Sequence, residues 1–219
     1  MNAGDPERRL ERHEPAGART VTGLGAVLIL VVLIVGVAWH YTRQQIAENV
    51  DRRTLEDIST VLPPDRYDNQ PHRDVVQLDT GSGQPVAVYR ARRNGAPAAA
   101  VLTIVAPDGY IGPIRLLVGI AADGRVLGVR VMAQVETPGI GGAIAAAHSP
   151  FMAAFVARSF DDPPPEYWSV RSDGGQFDAI AGATVSSRAV VGGVKRAVEY
   201  FASHQDEIFA PRREDQATP

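Results

Sequence analysis

The residues best placed for chemistry are Asp178-Ala-Ile-Ala-Gly-Ala-Thr184-Val-Ser-Ser187, which lead straight into the apolar-periodic stretch Ala189 to Phe201. A small-residue turn feeding a helix start brings together backbone N–H groups that lack a partner inside the helix and the positive end of the helix dipole. Gly182 and Ala183 carry too little side chain to keep an anion away from the backbone. Thr184, Ser186 and Ser187 add hydroxyls at the same point, around Val185. That combination suits a phosphate group. It also suits a plainer role, in which Ser186 or Ser187 caps the helix. Local chemistry leaves both open.

A second small-residue segment, Glu136-Thr137-Pro138-Gly139-Ile140-Gly141-Gly142, looks at first like a phosphate loop. It lacks the Lys-Ser/Thr of a P-loop and the spacing of a dinucleotide fold. A flexible turn between strand and helix explains it, and so does a backbone that lies flat against a planar ligand, with glycine allowing close approach. Glu136 is then either a solvated charge at a strand end or a group near a ligand's polar edge. Ala106-Pro-Asp-Gly-Tyr-Ile-Gly-Pro-Ile114 reads as turn chemistry. Arg171, Arg188, Lys195 and Arg196 are candidate partners for an anion, although each on its own fits a surface cation. No nucleophile–base arrangement and no acid/base carboxylate pair stands out, which argues against a hydrolase and leaves no catalytic residue to name.

Composition narrows the classes further. There are no cysteines, which excludes thiolate catalysis, disulfides and Cys-ligated metals. The five histidines are scattered without metal-site spacing, so no metal is expected. Net charge is −3 and no basic stripe interleaves with aromatics, so nucleic acid is not an expected partner.

The elements that must position these residues follow from periodicity. Short β-branched runs at Val75–Leu78, Val86–Arg92, Ala98–Val105, Ile114–Ile120 and Arg125–Met132 are separated by Asn94-Gly95, Asp108-Gly109 and Asp123-Gly124. Such tight spacing leaves no room for crossover helices, so the sheet should be largely antiparallel. Ala143 to Arg158 reads as a helix interrupted or restarted near Ser149-Pro150. Ser186 to Ser203 reads as the last strong helix, with Val190, Val194, Val198 and Phe201 on one face. The fold class expected is α+β.

One segment stands apart. Leu24 to Ala38 has no polar side chain, and Val21 to Tyr41 carries no Asp, Glu, Lys or Arg. A helix of about 20 residues crosses a bilayer core of roughly 30 Å, and Trp39 and Tyr41 fall where interfacial rings belong. A cleaved signal peptide is the rival, with Gly36 and Ala38 as small residues near a cleavage position; an uncleaved anchor is the preferred reading. Arg8, Arg9, Arg12 and Arg19 precede the span, against Arg43, Arg52 and Arg53 after it. This slight excess places the N-terminus inside. The expected organisation is a cytoplasmic tail over 1–20, a transmembrane helix over 21–41, a stalk helix and loop over 42–74, the main domain over 75–205 and a polar tail over 206–219. Pro63-Pro64 should stop the stalk helix.

Taken together these segments resemble the G subunit of the Rnf ion-translocating electron-transport complex, a relative of the C subunit of the sodium-pumping NADH:quinone reductase. The resemblance spans most of the chain. It rests on Leu62-Pro63 with Tyr67-Asp68-Asn69, Ala106-Pro-Asp-Gly-Tyr110, Gly112-Pro113-Ile114, Glu136-Thr-Pro-Gly139, Asp173-Gly-Gly175 with Phe177-Asp178, and Gly182-Ala-Thr184 before Arg188-Ala-Val-Val191. The Tyr-Asp-Asn and Ala-Pro-Asp-Gly-Tyr segments tilt the choice toward the Rnf side over the quinone reductase.

The resemblance implies a single-pass protein of the bacterial inner membrane, its FMN-binding domain in the periplasm and its partners the other subunits of the complex. It implies FMN joined by a phosphoester bond to Thr184, installed from FAD by a flavin transferase that reads Asp178 and the position of Ala181. Gly182 and Ala183 become the close-approach positions, and Glu136, Thr137, Pro138 and Gly139 lie near the isoalloxazine. The role implied is relaying electrons one at a time between neighbouring subunits, in a complex that couples ferredoxin and NAD chemistry to ion translocation. The sequence departs from the family pattern at Ala181, where Ser or Thr is usual, at Gln134-Val135 in place of His-Lys, at Gly142 in place of Asp, and at Phe151 in place of Trp. A scaffold or sensor that kept the fold without the flavin is the alternative from another class.

Overall fold

The computed structural model describes residues 16–79, 85–137, 144–145 and 149–211, without the side chains of 16–23, 26 and 43–50. Two compact units emerge, Met1–Val50 and Asp51–Pro219. Helix α1 (Ala16–Val61) begins in the first unit and ends in the second. In the first unit the described side chains from Leu24 to Thr42 are exposed, an apolar run that includes Leu28, Ile29, Leu33 and Ile34. Among the described residues no helix is long and apolar enough to cross a membrane.

The second unit is built on five strands: β1 (Val75–Asp79), β2 (Pro85–Arg93), β3 (Ala96–Ala106), β4 (Ile114–Ala121) and β5 (Val126–Ala133). They form one antiparallel meander in chain order, as the short turns require. β3 reads as a near-continuous apolar run because both of its faces are covered. Ala100, Leu102, Ile104 and Ala106 belong to the main core, while Ala99 and Val101 face the end of α1.

Helix α3 (Thr184–Phe209) closes the main core with Val190, Val194, Val198 and Phe201, the face expected from periodicity. It starts two residues earlier and runs further than the sequence suggests, with a non-helical backbone at His204. Its distance from the sheet is set at Gly193, where a Cβ would lie 2.7 Å from Leu116 Cδ1 and 3.2 Å from Ala106 Cβ. Its C-terminal end is held by two arginines of β2. Buried Arg90 donates to the Ala210 carbonyl at 2.6 Å and to Asp74 Oδ1, while Arg92 donates to the Phe209 carbonyl at 3.1 Å. Cations at the negative end of a helix dipole are favourable.

The opposite face of the sheet receives Ile58, Val61 and Leu62. Gly119 and Gly128 stand opposite one another in the β4–β5 register. A Cβ on the first would lie 2.2 Å from the Val61 carbonyl oxygen, and one on the second 2.8 Å from its Cα. The pair forms the notch in which the helix end rests, and Pro63 follows two residues on. Tyr67-Asp68-Asn69 extends the pairing of β2 beyond β1. Asp68 N–H donates to the Arg92 carbonyl at 2.9 Å, and Asn69 bonds both the Arg92 N–H and the Arg90 carbonyl.

The helix expected over Ala143 to Arg158 is corrected. Residues 143 and 146–148 lie outside the described residues, and beyond them only Pro150–Ala153 is helical (α2). The chain leaves the helix because its backbone finds partners in the sheet. Ala157, at φ 65°, donates to the Val126 carbonyl, and Val126 donates back to that of Arg158. Phe151 and Phe155 meanwhile turn inward, Phe155 stacking on Phe177 with ring centroids 4.7 Å apart.

Candidate functional site

The start of α3 is built by a tight turn. Ala183 N–H donates to the Ile180 carbonyl at 2.9 Å, and Gly182 sits in the third position at φ 78°, a conformation that favours glycine. Ala181 and Gly182 are exposed and Ala183 is buried. Ala183 is the N-cap and offers no side-chain bond. Neither serine caps the helix; each is drawn inward to a different partner. Ser187, fully buried, accepts the Ile180 N–H at 3.0 Å. Ser186, 1% exposed, donates to Glu136 Oε2 at 2.7 Å.

Glu136 is accordingly an interior residue, 4% exposed, and not a solvated strand-end charge. Its other oxygen accepts the Ile111 N–H at 3.2 Å, and its own N–H donates to Gln134 Oε1. The turn carrying Ile111 comes this close because Gly109 has no side chain, since a Cβ there would lie 2.7 Å from Glu136 Oε1 and 2.1 Å from the Gly112 carbonyl. The Asp-Gly-Tyr-Ile-Gly-Pro segment, which as sequence reads only as a turn, is thus a wall of the site. Its two glycines three residues apart were the available signal. Thr137 is exposed, and Pro138 and Gly139 lie outside the described residues.

Of the three hydroxyls at the start of α3, Thr184 alone has no hydrogen-bond partner among the described residues and is only half-buried; Val185 beside it is exposed. The N–H groups of the first helical turn open at the same place. The arrangement offers one reachable hydroxyl beside an electropositive helix end, which is what an attached phosphate group needs.

Among the described residues, three of the four candidate cations, all but Arg196, are already engaged in ion pairs. Arg171 Nε donates to Asp178 Oδ1 at 2.5 Å, so Asp178, exposed below the turn, belongs to a surface ion pair. Arg188 grips Asp173 through two bonds of 2.5 and 2.8 Å. Those hydrogen bonds hold the Asp173 carboxyl below its ordinary 3.8 and push the Arg188 guanidinium up. Lys195 pairs with Glu199 one turn along, 3.9 Å away. No group of residues among those described could hold a metal ion.

The sequence model of the FMN-binding domain matches residues 109–199, a span that contains Gly109, Glu136, Asp178, Thr184 and Ser186. Among solved structures, NqrC from Shewanella oneidensis is similar at 19% identity and a TM-score of 0.46, covering 69% of this chain and 73% of its own. The C subunit of the Na(+)-translocating NADH-quinone reductase of Parabacteroides distasonis is similar at 18% and 0.44, covering 61% and 67%. The G subunit of the ion-translocating oxidoreductase complex of Pseudomonas aeruginosa is 41% identical over 192 residues, covering 86% of this chain and 90% of that one. Its counterpart in Cereibacter sphaeroides is 39% identical over 188 residues, covering 86% and 85%, and that of Aliivibrio fischeri 35% over 190, covering 85% and 90%. At this identity and coverage the chain belongs to the family of the G subunits of ion-translocating oxidoreductase complexes.

Proposed function

We propose that this chain is the membrane-anchored electron-transfer subunit of an Rnf-type complex and carries FMN covalently on Thr184. The observation that carries the reading is the isolation of the Thr184 hydroxyl. It is the one hydroxyl of the first turn left without a partner among the described residues, and it stands where the dipole of a 26-residue helix is positive. A flavin joined there supplies the electron chemistry, accepting and releasing electrons singly. The protein's own contribution is position and charge. The backbone N–H groups of the first turn, which have no partner inside the helix, would meet the phosphate charge. The Gly182 turn would keep side chains clear of it, and Ser187 locks that turn to the helix.

Attachment joins the Thr184 oxygen to the FMN phosphorus of FAD and breaks the phosphorus–oxygen bond to AMP. AMP leaves, and the hydroxyl proton passes to a base on the flavin transferase. Asp178 and Ala181 are both exposed, so a transferase reading this motif meets them from outside. The partners proposed are that transferase and the other subunits of the complex. Residues 21–41 are proposed as the single membrane anchor, supported by the exposed apolar face of α1 between Leu24 and Val37. The arginine excess before it supports a cytoplasmic N-terminus and an extracytoplasmic main domain.

The test is the intact mass of the full chain coexpressed with a flavin transferase, beside Thr184→Ala. An FMN-sized adduct on the parent and none on the variant is expected. An adduct that survives Thr184→Ala, or a parent without one, overturns the assignment.

A further inference from the structure

Three hydroxyls lie within four residues at the start of α3, yet only one is open to a modifying enzyme. At 3.6 residues per turn, Ser186, Ser187, Val190 and Val194 share an inward arc, while Thr184, Val185 and Arg188 lie on the outward side. Burial agrees: Ser186 and Ser187 are closed off, Thr184 is half-buried, and Val185 and Arg188 are exposed. The packing of α3 into the main core begins at Ala189 and Val190, so the turn before them needs contacts of its own to be held in this rotational phase. Two polar contacts hold it. The Ile180 N–H meets Ser187 Oγ on one side, and Glu136 Oε2 takes the Ser186 hydroxyl on the other. Glu136 is itself fixed by the Ile111 N–H and by the close approach of Gly109.

We propose that Glu136 is a positioning residue that selects Thr184 as the attachment site, by drawing Ser186 inward and setting the phase of the helix start. This rests on covalent attachment as proposed above. It gives Glu136 a role distinct from flavin contact: its carboxylate oxygens face Ser186 and Ile111. The group-transfer step is the one already balanced, with the Ser186 oxygen as the competing nucleophile. In the parent that oxygen is withheld from FAD because it is buried and tied inward by its bond to Glu136.

The experiment maps the adduct by peptide fragmentation in the full chain coexpressed with the transferase. Glu136→Ala is expected to lower occupancy of Thr184 about tenfold and to move a measurable share of adduct to Ser186. Glu136→Gln keeps an oxygen acceptor and is expected to stay within about twofold of the parent, with adduct on Thr184 alone. The decisive pair is Thr184→Ala, expected to carry no adduct, against Thr184→Ala with Glu136→Ala, expected to carry it on Ser186. A merely structural role lowers yield without changing the residue modified. If Glu136→Ala fails to fold, Glu136→Asp, which withdraws the carboxylate by one methylene, is used in its place with the same expectation. Adduct confined to Thr184 at parent level in the single variant, or none in the double variant, overturns the selection. A parent that carries no adduct at all overturns the attachment instead.

Discussion

Ser186 Oγ donates to Glu136 Oε2 at 2.7 Å across fifty positions of sequence, and both side chains are buried. The bond joins the segment after β5 to the first turn of α3. With the Ile111 N–H on the other carboxylate oxygen, three chain segments meet at one buried charge. Removing one donor leaves a buried carboxylate under-satisfied. Ser186→Ala is therefore expected to cost about 1–3 kcal/mol of stability. Urea unfolding of the full chain measures it, and a midpoint equal to the parent's contradicts the argument.

Gly192 and Gly193 are neighbours in one helix but face different surroundings. A Cβ on Gly192 meets nothing closer than 3.5 Å, whereas one on Gly193 meets Leu116 at 2.7 Å. Gly192→Ala is expected to stabilise by up to about 1 kcal/mol through helix propensity. Gly193→Ala is expected to destabilise by about 1–3 kcal/mol, since α3 must lift from the sheet. Thermal midpoints moving in the same direction would show that α3 does not rest on β4 at this point.

Arg90 is buried and bonds Asp74 and the last carbonyls of α3. Arg90→Ala leaves a part-buried carboxylate without its main cation and the helix end with Arg92 alone of its two arginines. A loss of about 3–5 kcal/mol is expected. Arg90→Lys should recover little of it, because one ammonium cannot reproduce the fork that reaches both partners. Equal stability of the lysine variant and the parent would refute the bidentate role.

Much of this arrangement is legible from residue order. All five strands lie where β-branched runs alternate with Asn-Gly and Asp-Gly turns, and Val190, Val194, Val198 and Phe201 form the buried face of α3. What residue order does not show depends on register between distant segments. Gly119 and Gly128 acquire meaning only when β4 and β5 pair and Val61 arrives above them. Arg90 looks like any strand cation until the end of α3 is placed beside it. Glu136 has two plausible faces in a strand-end segment, and the Gly109 turn decides which one is buried. The start of α3, by contrast, is readable as a helix N-terminus because small residues and hydroxyls precede an apolar-periodic stretch, although residue order alone leaves open whether those hydroxyls meet an anion or cap the helix.

Asp173 and Arg188 supply a pH test. Hydrogen bonding from Arg188 lowers the Asp173 pKa below 3.8 in the folded protein. A carboxyl with a depressed folded pKa contributes stability above its unfolded value, and that contribution is lost as pH falls through the folded value. The pair is exposed, so the effect on stability is small and best followed locally. The carboxyl carbon of Asp173 should titrate below 3.8 by NMR in the parent and move upward in Arg188→Ala. An unchanged midpoint would show that the pair does not persist in solution.

The absence of cysteine makes the proposed topology directly testable, since any thiol introduced is the only one present. Ala202 is exposed on α3, and Ala3 lies before the apolar segment. If residues 21–41 span the membrane with the N-terminus inside, Ala202→Cys is labelled by a membrane-impermeant maleimide in cells with a permeabilised outer membrane. Ala3→Cys is labelled only after lysis. The reverse pattern would place the main domain in the cytoplasm, away from extracytoplasmic flavinylation. Labelling of Ala202→Cys with no label on Ala3→Cys even after lysis, and the chain in the soluble fraction, would identify the apolar segment as a cleaved signal peptide. Labelling of both positions before lysis would identify it as a non-spanning element. If residues 21–41 anchor the chain, the anchor is tied to function because it restricts where Thr184 can meet its partners. A flavin carrier held at the membrane searches a surface for its neighbours instead of a volume, and this raises the effective concentration of donor and acceptor. Deleting residues 1–41 behind an exported leader is therefore expected to leave the adduct on Thr184 while removing the chain from the membrane fraction. Retention of the truncated chain there would show that contacts of the main domain with the rest of the complex are sufficient to hold it.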